Sequence, residues 1–208
     1  MSATNRGTKR KESDFYATPL DAVYTLLENY KGICPNDHIL EPSAGNGNII
    51  KALRKSGYKN FITAVELREE EKKNLNESGA SQVAILDFLQ YGELVNINNY
   101  DVIIGNPPYS MAQEFIDKSL SLLNPGGRLI FLLRTNFLES KKRFEWWQGR
   151  LPSKLYVLSK RPSFTGNGTD ATSYSWFIWE KTNKVYTTSD CPKLQYHDFV
   201  NHQEIKII

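Results

Sequence analysis

His38-Ile39-Leu40-Glu41-Pro42-Ser43-Ala44-Gly45-Asn46-Gly47 decides the fold. Its first four residues read as a short buried strand, and its two glycines as a tight turn that lets backbone come close to a ligand. A helix follows to about Ser56, with Gly57 as its C-terminal stop. Strand, glycine turn and helix in that order are the first unit of an alternating α/β sheet. The turn has neither the Gly-x-Gly-x-x-Gly spacing of a dinucleotide-binding turn nor the Lys-Ser/Thr of a phosphate-binding loop. Its helix N-terminus would still favour an anionic group such as a carboxylate.

The alternation continues on both sides of this stretch. Upstream, Thr18 then Pro19 mark a helix start, with Thr18 as N-cap, and Val23, Leu26, Leu27 and Tyr30 fall on one helical face. Downstream come a strand at 61–67 (FITAVEL), a charged helix at 68–77, and strands at 82–86 (QVAIL) and 100–104 (YDVII). A helix then carries Phe115, Ile116, Leu120 and Leu123 on one face, and Asn124-Pro125-Gly126-Gly127 breaks it before the apolar strand 128–133 (RLIFLL). The pattern predicts a mostly parallel sheet with helices on both faces, binding its ligand at the carboxyl ends of the strands. Residues 155–158 (LYVL) and 174–179 (YSWFIW) predict a C-terminal antiparallel hairpin that finishes the sheet. The polar, glycine-rich loop between them is too long to be a plain connection.

A length of 208 residues suits one domain, and the absence of any apolar run near the ~18 residues of a membrane span argues against insertion. The basic start MSATNRGTKRKES has no apolar stretch behind it, so it is not a secretory signal, and the chain is expected in the cytoplasm. Cys34 and Cys191 form no Cys-x-x-Cys pair and the three histidines are scattered, so neither a disulfide framework nor a metal site is expected. The net charge of +3 hides segregation. Residues 1–13 alone carry +3, and residues 134–161 hold Arg134, Lys141, Lys142, Arg143, Arg150, Lys154, Lys160 and Arg161 against Glu139 and Glu145. Two basic segments suit a polyanion such as nucleic acid; a basic tail and a solvated basic helix look the same.

Glu66 ends the second strand, where an acidic residue can accept both ribose hydroxyls of an adenosine-containing cofactor. Asp87 and Phe88 end the third, an acceptor beside an aromatic plate that could flank an adenine ring. Structural parts fit the same residues: Glu66 as a helix-start carboxylate, Asp87 as an N-cap, Phe88 as core. Asn106-Pro107-Pro108-Tyr109 follows the fourth strand. Its prolines stiffen the backbone and remove two N–H donors, leaving the carbonyls of Asn106 and Pro107 to be presented outward. An amide, a carbonyl and an aromatic ring around one small space suit a planar NH₂ group: two acceptors for its hydrogens and a ring to stack on.

These motifs, with the upstream Asp14-Phe15-Tyr16-Ala17-Thr18-Pro19, resemble the S-adenosylmethionine-dependent adenine-N6 DNA methyltransferases of small phage and bacterial type. The resemblance covers residues 14–181, between a basic arm at 1–13 and an extension at 182–208. It implies a Rossmann-like class I methyltransferase fold, with S-adenosylmethionine as cofactor and S-adenosylhomocysteine as product. Tyr16, Thr18 and Pro19 would contact the methionine end of the cofactor. Glu41, Pro42, Ser43, Ala44, Gly45, Asn46 and Gly47 would form the cofactor loop, Glu66 with Leu67 would hold the ribose, and Asp87 with Phe88 the adenine. Asn106, Pro107, Pro108 and Tyr109 would be catalytic, with Asn106 also bordering the cofactor. Phe164, Arg134, Lys141, Lys142 and Arg143 are the candidate substrate contacts, Phe164 as a second stacking surface.

Asn-Pro-Pro-Tyr is shared with methylases of rRNA adenine and of a protein glutamine amide, and Asp-x-Tyr-x-Thr-Pro tilts the reading toward DNA. A non-catalytic cofactor-binding subunit is the reading from another class, and intact motifs disfavour it. The 168 residues of the resemblance leave no room for a separate target-recognition domain. Target choice is then expected from short loops, the basic segments, or a second copy or partner chain.

Overall fold

The computed structural model describes residues 17–91, 100–164, 168, 170–181 and 204–208. Tyr16, the basic arm, residues 165–167 and 169 of the long loop, and most of the expected extension lie outside the described residues.

Five α-helices and eight strands are described: α1 Leu20–Asn29, β1 Ile39–Glu41, α2 Asn48–Lys55, β2 Ile62–Glu66, α3 Lys72–Glu77, β3 Gln82–Ile85, β4 Tyr100–Gly105, α4 Ala112–Leu122, β5 Leu123–Arg134, α5 Phe144–Trp147, β6 Lys154–Val157, β7 Tyr174–Glu180 and β8 Glu204–Ile207. They build one sheet in the order β3-β2-β1-β4-β5-β7-β6-β8. β1 to β5 pair in parallel, β7 runs antiparallel between β5 and β6, and β8 adds in parallel at the outer edge. This is the expected α/β architecture with its antiparallel hairpin.

Order reverses between β1 and β4, so the loops after those two strands open a crevice where ligands bind in such sheets. One face of the sheet buries Val23, Leu26, Ile49, Leu53 and Trp176 beneath α1 and α2. The other buries Phe88, Phe115, Ile116, Phe131 and Phe177 beneath α4 and α5. Both faces are therefore apolar, which is why the central strands read as unbroken hydrophobic runs.

Three local expectations are corrected, and the extension adds a strand. Pro19, not Thr18, holds the N-cap position of α1, with no side-chain capping bond; the Thr18 carbonyl accepts from the Asn48 amide at 2.9 Å beside α2. The break at 124–127 is absorbed into β5. Gly126 N–H donates to the Lys181 carbonyl at 2.7 Å and Lys181 N–H returns a bond to Gly127 at 2.8 Å, so distant backbone satisfies groups that would otherwise end the strand. Residues 204–207, placed in the extension, join the sheet as β8. Against the expectation of no disulfide, Cys34 is disulfide-bonded; spacing rules see only nearby cysteines. Among the described residues, no helix is long and apolar enough to cross a membrane.

Candidate active site

Loops after β1, β2 and β4 meet at one end of the sheet, because these strands are parallel neighbours. Gly45 and Gly47 take positive φ of 54° and 75°, as the tight turn after β1 requires. Gly47 is constrained by its surroundings as well, since a Cβ there would lie 2.6 Å from the Cβ of Ser78. Gly105 plays the matching part at the end of β4, where a Cβ would meet Pro42 at 3.2 Å. Pro42 and the end of β4 can therefore approach closely. The Ser43 hydroxyl donates to the Asn106 carbonyl at 3.3 Å and ties the two loops together. That carbonyl, expected to face outward, faces the glycine turn instead.

Glu66 is buried and already engaged. Its Oε2 accepts from Gly45 N–H at 2.7 Å, and its Oε1 accepts from the backbone and guanidinium of Arg68 at 3.1 and 2.9 Å. The same carboxylate thus shapes the turn and stands at the strand end facing the crevice. Glu41 is buried too, and its Oε2 has no hydrogen-bond partner among the described residues. Burial first, and then the nearby Glu66 charge, pushes the Glu41 carboxyl well above the usual range, against a smaller opposing pull from the Ile50 N–H. Leu67 is 59% exposed beside Glu66 and offers an apolar surface.

At the end of β3, Asp87 caps the 88–90 turn, its Oδ1 accepting from Leu89 N–H at 2.9 Å. Phe88 is only 2% exposed and packs 5.0 Å from the Phe115 ring. Its ring packs in the core beneath α4, the structural part that the sequence also allows it. Composition could not separate the two readings, because an aromatic at a strand end can turn either way.

The other half of the site is built from side chains. The Tyr109 hydroxyl donates to Asn106 Oδ1 at 2.9 Å. The Tyr109 ring lies 5.8 Å from that of Tyr174, which lies 5.0 Å from Phe164. Arg134 sits 5.1 Å over the Tyr109 ring and its Nε donates to the Tyr174 hydroxyl at 3.4 Å. Tyr174 in turn donates to Asp170 Oδ2 at 2.8 Å, and burial first raises its hydroxyl to about 12. The cluster brings Tyr109, Phe164 and Arg134 together as one unit.

Tyr174 and Asp170 were missed from sequence. Their only signal is that the first residue of an antiparallel final strand lies at the carboxyl edge of the sheet, and β7 pairs Tyr174 with Arg134 there.

The basic segment is less free than its count suggests. Arg150, Lys154 and Lys160 pair with Asp117, Glu180 and Asp21. Arg143 stacks 4.7 Å over Phe137 and donates to the carbonyls of Phe137 and Glu139, so it ties down its own loop. Lys141 and Lys142 remain exposed, as does Arg134. Among the described residues, no group of three or more His, Cys, Asp and Glu side chains is placed to hold a metal ion.

No family model matches the chain. The type II methyltransferase M.CvrRI of Paramecium bursaria Chlorella virus XZ-6E is 29% identical over 106 residues, 50% of this chain and 27% of that protein. The chain thus matches about a quarter of the length of that curated relative. A Listeria monocytogenes protein assigned to the class I S-adenosylmethionine-dependent methyltransferases shares the fold with a TM-score of 0.61 and 16% identity, covering 90% of this chain and 64% of that one. The M protein of the type I restriction enzyme EcoKI gives 0.62 at 14% identity, over 85% and 46%. An rRNA methylase from Streptococcus thermophilus gives 0.52 at 17%, over 81% and 99%. Identities this low speak for architecture alone, and the architecture is that of the class I methyltransferase fold.

Proposed function

Because the chain has the class I S-adenosylmethionine-dependent methyltransferase fold, we propose that it transfers a methyl group to the exocyclic N6 amino group of adenine in DNA. The observation that carries this reading is the placement of Asn106-Pro107-Pro108-Tyr109 at the end of β4, joined to the glycine turn through Ser43.

The cofactor half suits S-adenosylmethionine chemically. That molecule brings an ammonium, a sulfonium and a ribose diol but no phosphate, and the crevice offers Glu41 and Glu66 without a phosphate-binding lysine loop. Glu41, with an unpartnered buried oxygen, would face its cationic end, Glu66 and Leu67 its ribose and adenine, and the turn 42–47 its backbone-contacting edge. When bound, the cofactor supplies a methyl group already activated on sulfur.

Adenine's amino nitrogen is a weak nucleophile because its lone pair is delocalised into the ring. Asn106 Oδ1 and the Pro107 carbonyl accept its two hydrogens and draw the lone pair toward a tetrahedral, nucleophilic form. Tyr109 must release Asn106 Oδ1, or share it, for this to happen, since its hydroxyl now occupies that acceptor. A released Tyr109 ring stacks on the base, and the Arg134 guanidinium beside it is placed to meet a neighbouring phosphate. A target in duplex DNA is first extruded from the stack, at a cost of a few kcal/mol. Lys141 and Lys142 give the polyanion its electrostatic footing.

Labelled cofactor offered with single-stranded DNA, duplex DNA, RNA and protein extract tests the assignment, the methyl group being located by mass spectrometry. The expected product is N6-methyladenine in DNA, with turnover in Asn106→Ala reduced by about 10²–10³ and cofactor affinity kept. Methyl on RNA adenine or on glutamine would reassign the substrate, and no transfer to any of them would overturn the proposal.

A further inference from the structure

We propose that β8 is a self-complementary edge through which two copies of this chain join, antiparallel about a two-fold axis at Ile205. The inference is independent of the reaction assigned above.

β8 is the outermost strand of the sheet among the described residues. Its Glu204 and Ile208 N–H groups donate to the Ser153 and Val157 carbonyls on the β6 side. Strand geometry alternates, so the N–H and C=O groups of Ile205 and Ile207 point the other way, along the open edge. Their side chains are 72% and 73% exposed, on the face opposite α1 and beside Leu155 and Val157 in register. An open strand edge with two exposed isoleucines is a template for another strand, and it lacks the usual protections of proline or a bulge.

The charges choose the partner. Lys206 is held on the α1 face, its Nζ donating to Asn29 Oδ1 at 2.9 Å and lying 5.7 Å over the Tyr156 ring. Glu204 shares that face, two residues earlier. In a two-fold antiparallel pairing, residues opposite one another point to the same face, so the axis must pass through a residue position. With the axis at Ile205, each Ile205 exchanges N–H···O bonds with its copy, and each Glu204 stands opposite the other chain's Lys206. Moving the axis to Lys206 sets ammonium against ammonium, and moving it to Glu204 sets carboxylate against carboxylate. The sequence Glu204-Ile205-Lys206 therefore complements itself in the register centred on Ile205, the one of these that sets opposite charges against each other. Such a pairing joins the two sheets into one and reverses strand direction across the axis, so the two crevices open toward opposite ends and each acts alone.

Sedimentation equilibrium on the full chain tests this. The wild-type chain is expected to form dimers. Glu204→Lys and Lys206→Glu should each weaken association at least about tenfold by setting like charges opposite one another, with the folded circular dichroism spectrum kept. An equimolar mixture of the two variants should recover a dimer, because one chain then presents two lysines to two glutamates. The chain carrying both substitutions should associate like the wild type. A wild-type chain that stays monomeric overturns the proposal. So does a dimer indifferent to the single reversals, or two folded variants that do not associate when mixed.

Discussion

The two halves of the crevice are held in different ways. On the glycine-turn side, a carboxylate and two positive-φ glycines fix backbone: Glu66 closes on Gly45 across 21 residues, and Gly47 is packed against Ser78. On the Tyr109 side, Tyr109, Tyr174 and Phe164 form a chain of rings tied by Arg134 and Asp170. Backbone held by sterics has one conformation, whereas side chains held by rotamer and hydroxyl can change partner. The first half is preorganised; the second rests in an arrangement that, on the proposed function, a bound base would displace.

The largest effect that would break this contrast lies in the backbone half. Gly47→Ala combines a left-handed backbone with a Cβ overlapping Ser78, so a loss of about 2–4 kcal/mol in urea denaturation is expected. A change below about 0.5 kcal/mol would mean that the turn is not sterically locked.

In the side-chain half, Tyr174→Phe keeps the ring and removes the hydroxyl shared by Arg134 and Asp170. The expected outcome is a drop of about tenfold in kcat/KM for nucleic acid, with cofactor affinity unchanged. Equal losses in both would show that the halves are not separable. A smaller effect comes from Lys141→Ala with Lys142→Ala, which should lower the slope of log affinity against log salt by about 2 without touching cofactor binding. Arg143→Ala should show instead as lost stability, because that guanidinium ties Phe137 and Glu139.

The subtlest change is in pH dependence. Glu41 has its carboxyl pushed up by burial and by Glu66, so its contribution to stability is present below the ordinary glutamate value and is lost as pH rises through the raised one. Glu41→Gln has no such proton to lose. Without cofactor, its melting temperature relative to wild type should therefore rise between acid and mildly alkaline pH. A pH-independent difference would show that Glu41 is not titrating as a buried group. The same variant should bind S-adenosylmethionine more weakly if Glu41 faces the cofactor's cationic end.

Much of the glycine-turn half was legible in the chain because its parts are local. Strand, turn and helix at 38–56 follow one another, and their glycines report the backbone they require. Phe88 was not legible, since burial on one side of a strand end depends on α4, more than twenty residues away. Thr18 failed as a cap for a similar reason: Asn48 takes its carbonyl. The basic segment looked uniform in sequence, yet acids on α1, α4 and β7 neutralise part of it. Tyr174 carried no motif at all; antiparallel insertion of β7 beside β5 puts it against Arg134 and Tyr109.

Hydrophobic runs, punctuating glycines and a proline-stiffened tetrapeptide determined the alternating sheet and the place of its crevice, because periodicity and backbone sterics act over a few residues. Which side chains fill that crevice, which charges stay exposed and which strand is left at the open edge were decided only by tertiary structure. Those outcomes depend on hydrogen bonds, ion pairs and ring contacts between segments tens of residues apart, and nothing in the local pattern encodes which distant partner will arrive.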